Sequence, residues 1–168
     1  MANTYTLIAS NTVGSGGAAN IEFTSIPATY KDLQILCSLD SSIAAGADDI
    51  YIQFNGSTSN FSWKNALGTG SSAISQNGVN NQAGSIPAAN VTANVFGNAS
   101  LYIPNYAGSN YKSISSDSVV ENNGTTGYQA LYATLWSDTA AITSIKLLPS
   151  SGTFLQYSTA YLYGIKNS

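Results

Sequence analysis

DLQILCSLD (Asp32–Asp40) decides the fold. Leu33, Ile35, Cys37 and Leu39 alternate with Gln34, Leu36 and Ser38, the period-two pattern of a strand with one face in a core. YQALYATLW (Tyr128–Trp136) has the same period but is apolar on both sides. Tyr128, Ala130, Tyr132 and Trp136 share one face, and Leu131, Ala133 and Leu135 share the other. The C-terminal run repeats this, with Tyr161, Tyr163 and Ile165 opposite Ala160 and Leu162. In a two-layer sandwich only one face of each sheet meets the core. The second apolar face therefore predicts a cover, from a long loop or a neighbouring subunit.

Working outward, period-two alternation predicts ten strands. The first six are Tyr5–Ser10, Ala19–Ser25, Asp32–Asp40, Ile50–Phe54, Val91–Phe96 and Ala99–Ile103. The other four are Lys112–Glu121, Tyr128–Trp136, Ile142–Leu148 and Thr159–Ile165. Asn55-Gly56, Asn77-Gly78 and Asn123-Gly124 predict tight turns, since this pair tolerates positive φ. Pro27, Pro87, Pro104 and Pro149 fall where strands end. SSIAAGADD (Ser41–Asp49) is read as a loop with at most one helical turn, because Gly46 interrupts its alanines.

Asn65–Asn90 is rich in Gly, Ser, Asn and Ala and long for a connection. Two readings fit it: a surface loop holding one or two irregular strands, or an arm laid across an adjacent subunit. The whole chain, 1–168, reads as one all-β domain: a single antiparallel β-sandwich of jelly-roll type with this excursion at about 65–90.

Composition narrows function. Charged residues make up 8% of the 168 residues, against about 25% in an average soluble protein. The polar surface must come from short uncharged side chains, which desolvate against a neighbour more cheaply than Lys or Glu. There is no Arg and no His, and Lys31, Lys64, Lys112, Lys146 and Lys166 are scattered singly. Nucleic acid needs clustered cations, so it is not an expected partner. Nor is an anionic membrane. Met1–Tyr5 has no basic residue and no long apolar run follows. No signal peptide is expected, and synthesis in a cytoplasm is. The lone Cys37 reads as a small buried hydrophobe.

Catalytic chemistry finds few carriers. Histidine, the commonest general base, is absent. Gly14-Ser15-Gly16-Gly17 lacks the lysine of a phosphate loop and reads as a hairpin turn. The acids are Glu22, Asp32, Asp40, Asp48, Asp49, Asp117, Glu121 and Asp138. Asp117 and Glu121 on one strand face are the pair to weigh for glycoside hydrolysis, against the plainer reading of a wet strand face. Asp48 and Asp49, with Asp40, are weighed for calcium, although no spaced loop pattern accompanies them. No catalytic residue, cofactor or metal is assigned. Aromatics are the candidate contact residues for a ligand or partner: Trp63, Tyr102, Tyr106 and Tyr111. Each is weighed against the plainer role of a turn anchor with buried ring and wet hydroxyl.

Three phrases carry a resemblance: NIEFTSIPATYKDLQIL (Asn20–Leu36), DIYIQFNGSTSNFSW (Asp49–Trp63) and FLQYSTAYLYGIK (Phe154–Lys166). Together they resemble small virion proteins of tailed bacteriophages, particularly those of marine and cyanobacterial hosts. The similarity spans most of the chain, omits about 65–90 and contains no catalytic motif. It implies a jelly-roll sandwich located in the virion, a structural capsid decoration (cement) protein. Such a protein binds the major capsid protein of the outer shell as a homo-trimer or other homo-oligomer. The alternative it leaves open is a carbohydrate- or receptor-binding module of a tail fibre or spike, with a host glycan as ligand. An enzyme, a depolymerase acting through paired acids, ranks last.

Overall fold

The computed structural model describes residues 4–121 and 127–166. It is a sandwich of two antiparallel sheets, built from twelve strands with no helix among the described residues. In chain order these are β1 (Tyr5–Thr12), β2 (Ile21–Phe23), β3 (Asp32–Leu39), β4 (Ala47–Phe54), β5 (Phe61–Gly68) and β6 (Ala73–Gly78). β7 (Gln82–Pro87), β8 (Gly97–Ile103), β9 (Lys112–Val120), β10 (Tyr128–Trp136), β11 (Ile145–Pro149) and β12 (Thr159–Ile165) follow. The large sheet runs β1-β12-β3-β8-β9-β10-β5-β6 and the small sheet β2-β11-β4-β7.

Setting aside the hairpins β5–β6 and β9–β10 leaves eight strands. Numbered in sequence, they lie in the orders 1-8-3-6 and 2-7-4-5. This is the jelly-roll arrangement, two Greek keys folded onto each other. The two hairpins then prolong one sheet only, so the large sheet overhangs the small one.

The core follows the alternation. Leu33, Ile35, Cys37 and Leu39 of β3 meet Ile50, Ile52 and Phe54 of β4, joined by Leu101, Leu162, Ile145 and Leu147. Each such side chain contributes roughly 1.5–3 kcal/mol through burial. Phe54, Phe61 and Trp136 close one end of the core with ring centroids 5.4–6.0 Å apart.

β7 shows burial without hydrophobicity. All six of its residues are buried, yet the segment reads QAGSIP. It is an edge strand of the small sheet, and its free side faces the inner surface of β9 and β10. Side chains complete that edge. Ser85 N–H donates to Ser118 Oγ (3.1 Å), Ser116 Oγ donates to the Ala83 carbonyl (2.5 Å), and Thr134 Oγ1 to the Gln82 carbonyl (2.7 Å). Buried backbone groups need partners. That accounts for hydroxyl residues at inward positions of β9 and β10.

The structure alters several local expectations. Asn65–Asn90 holds the end of β5, all of β6 and all of β7, and β7 folds into the chain's own body rather than across a neighbour. Val91–Phe96 is irregular instead of a strand, with Asn94 at φ 65°. Asn55 and Gly56 are both at positive φ, as a tight turn requires. Asn77-Gly78 instead ends β6. A side chain at Gly78 would collide with the Trp63 indole, 2.7 Å from Nε1. The Asn123-Gly124 turn lies outside the described residues.

Candidate functional site: an overhang groove and a bare sheet face

The overhang creates a groove. Its roof is the inward face of β10, β5 and β6, and its wall is the edge of the small sheet at β4 and β7. The cavity holds about 520 Å³ and is lined by Asp49, Trp63, Leu67, Ile74, Gln76, Gln82, Ser85, Tyr128 and Tyr132 among others. Asp49 is half-buried, and its carboxyl is pushed up to about 6. Burial is the main cause, the neighbouring Asp48 charge adds to it, and a hydrogen bond from Ser85 opposes it. A chain of polar contacts runs inward from there. Ser85 Oγ lies 3.0 Å from the Tyr132 hydroxyl, which also accepts from Gln82 Nε2 at 2.9 Å. Burial also raises the hydroxyls of Tyr51 and Tyr128, and the Asp49 charge raises them further.

The four candidate aromatics do not come together. Trp63 belongs to the groove, its ring packed on Tyr132 (centroids 5.7 Å) and its indole N–H bonded to Asn80 Oδ1 at 2.6 Å. Tyr102 stands on the opposite, outer face of the large sheet, its hydroxyl bonded to Asp32 Oδ2 (2.9 Å). Tyr106 is inside the core, with its hydroxyl donating to the Pro27 carbonyl. It has no surface to offer a ligand. Tyr111 is exposed just before β9. The residues that surround Trp63 are not singled out by sequence alone. Gln82 and Ser85 sit in a stretch with no hydrophobic period, while Tyr128 and Tyr132 give a signal as same-face positions of one strand.

The acids are dispersed as well. Glu22 pairs with Lys146 (3.5 Å) on the small sheet. Asp117 points outward from the large one. Asp48 and Asp49 are consecutive in β4 and so project to opposite faces. Asp48 accepts from the Ser150 amide at 3.3 Å and from its hydroxyl. Among the described residues no three Asp, Glu, Cys or His groups gather where a metal would bind.

A second cavity, about 440 Å³, lies at the end of the roll where the connections after β1, β3, β7 and β11 meet. Asp40 lines it, 5% exposed, with burial raising its carboxyl. Asp40 Oδ1 and Ser41 Oγ are buried with no hydrogen-bond partner among the described residues.

Among the described residues no strand packs on the outer face of the large sheet. Cross-strand register sets Tyr161, Leu36, Ser100, Asp117, Leu131 and Ala66 in one row. Leu7, Tyr163, Gln34, Tyr102, Ser115, Ala133 and Lys64 form the next. Leu7 (50% exposed), Leu131 (56%), Leu36, Tyr102 and Tyr161 project from it into solvent. Among the described residues, Asp117 and Lys64 are the exposed ionic side chains of its strands. Asp117 and Lys64 apart, the side chains of these two rows are uncharged.

The fold is a jelly-roll β-sandwich with a groove under its overhang and an uncovered outer sheet face. No family model, curated protein or solved structure matches the chain.

Proposed function

We propose that this chain is a non-enzymatic structural protein of a tailed-bacteriophage virion, a capsid decoration (cement) protein that assembles with copies of itself and binds the outer shell. The observation that carries the reading is the outer face of the large sheet. Eight strands present Leu, Tyr, Ala and Ser with one exposed acid and one exposed lysine among the described residues. A face with one charge of each sign can meet a second copy of itself without like-charge excess. Exposed leucines and tyrosines supply the apolar centre such an interface needs. The jelly roll, together with the phage-like phrases at Asn20–Leu36, Asp49–Trp63 and Phe154–Lys166, supports placing the assembly in a virion, with the major capsid protein as the further partner. Decoration would strengthen the shell by mass action, since a ligand of the assembled state alone shifts the balance towards it.

The test is to incubate the purified protein with undecorated phage shells and assay shell-bound protein and shell resistance to heat. Bound wild type at stoichiometric occupancy, with a raised disruption temperature, is expected. The double substitution Leu36→Lys and Leu131→Lys is expected to lose both. Shells that stay bare and no more heat-resistant with wild type would refute the decoration role.

A further inference from the structure

We propose that the overhang groove binds an uncharged saccharide, with Asp49 as the principal hydrogen-bond acceptor for its hydroxyls. Nothing in the assembly reading requires this, and the groove lies on the opposite side of the large sheet from the bare face. A subunit can therefore be covered on one side and adhesive on the other.

The chemistry of the lining selects the ligand class. Sugar rings present an apolar C–H face and a rim of hydroxyls, each both donor and acceptor. The groove offers both counterparts. Leu67, Ile74 and the rings of Trp63 and Tyr128 form apolar walls. Asp49 supplies a carboxylate acceptor, and Gln76, exposed on β6, supplies amide donors, its oxygen already accepting from Asn65 Nδ2 at 3.4 Å. The groove's volume lies within the usual range of small-ligand sites, and its lining mixes apolar side chains and aromatic rings with about as many polar groups.

Other classes fit less well. Among the described residues no lysine lines the cavity, so phosphate, sulfate or a uronic acid would meet Asp49 unneutralised. A divalent cation takes six to eight oxygens, and the described residues bring one carboxylate to the groove. The site is also held in place before any ligand arrives. Asp49 sits opposite Ser85 in the pairing of β4 with β7, the Ser85 hydroxyl meets that of Tyr132, and Tyr132 is held by Gln82 and the Trp63 ring. A prepositioned acceptor loses little freedom on binding.

The experiment begins with a printed array of neutral oligosaccharides (hexose and N-acetylhexosamine types) beside sialylated and sulfated ones, probed with the full chain. The best neutral hit is then titrated calorimetrically against wild type, Asp49→Asn, Tyr128→Ala and, as a control away from the groove, the exposed Lys31→Ala. Neutral glycans are expected to bind, with affinity at least tenfold weaker for Asp49→Asn and Tyr128→Ala and unchanged for Lys31→Ala. The Trp63 indole N–H signal in a proton–nitrogen spectrum is expected to shift on titration, which a ligand bound away from the groove would not produce. Three results overturn the proposal: no neutral glycan bound, binding confined to anionic glycans, or Asp49→Asn binding as tightly as wild type. Failure here leaves shell binding untouched, so the two readings are separable.

Discussion

Asp49→Asn is expected to stabilise the protein at neutral pH. The carboxyl is held at about 6 in the folded chain, against an ordinary value of 3.8, because burial and Asp48 both oppose its charge. At about 1.4 kcal/mol for each tenfold change in proton affinity, that difference corresponds to about 3 kcal/mol. Asp49 is only partly enclosed, and solvent screens such interactions, so a net of about 1–2 kcal/mol is the working figure. The sign follows from proton linkage. The folded chain holds this proton more tightly than the unfolded chain, so the charged form costs stability above about 6. That cost is relieved as pH falls from about 6 towards 3.8, and below that range both states are protonated. Asparagine keeps the shape and an acceptor for Ser85 while removing the charge. For a chain of this size about 1–2 kcal/mol raises the melting temperature by roughly 2–8 °C. Differential scanning calorimetry of both proteins at pH 7.5 and pH 4.0 checks this. The gap should be present at pH 7.5 and nearly closed at pH 4.0. A variant that melts no higher at pH 7.5, or a gap that persists at pH 4.0, would refute the account of Asp49 as a desolvated carboxylate in the groove.

Gly78→Ala is expected to destabilise by about 1–3 kcal/mol, because the new methyl overlaps the Trp63 indole and must displace it. Urea unfolding followed by tryptophan fluorescence reads both the loss and the moved ring; an unchanged midpoint would speak against the close packing. Cys37 is buried and its thiol is pushed up to about 12 by that burial. Iodoacetamide at pH 8 should therefore leave it unmodified in the native protein and alkylate it once urea unfolds the chain, as mass spectrometry would record.

Legibility in the sequence followed hydrophobic period. β3 was readable because Leu33, Ile35, Cys37 and Leu39 face the core and their neighbours do not. β7 was not, because its buried edge is completed by Ser116, Ser118 and Thr134, so the segment needs no apolar side chains to be inside. β6 was hidden for the opposite reason: five of its six residues are exposed, so nothing selects a period. Asn77-Gly78 carried the signature of a turn, but this glycine makes room for an indole. Tyr128–Trp136 and Thr159–Ile165 read as apolar on both sides, and the outer sides of both strands carry exposed Leu131 and Tyr161. The groove was half-legible. Trp63 stood out as an aromatic, whereas Asp49, Gln82 and Ser85 become neighbours only through the pairing of β4 with β7.

The bare outer face as a contact between copies is tested most directly by sedimentation velocity on the purified chain at micromolar concentration. The expected result is a single species at a multiple of 17.4 kDa that the substitution pair Leu36→Lys and Leu131→Lys reduces to 17.4 kDa. A wild-type protein sedimenting at 17.4 kDa throughout would contradict it.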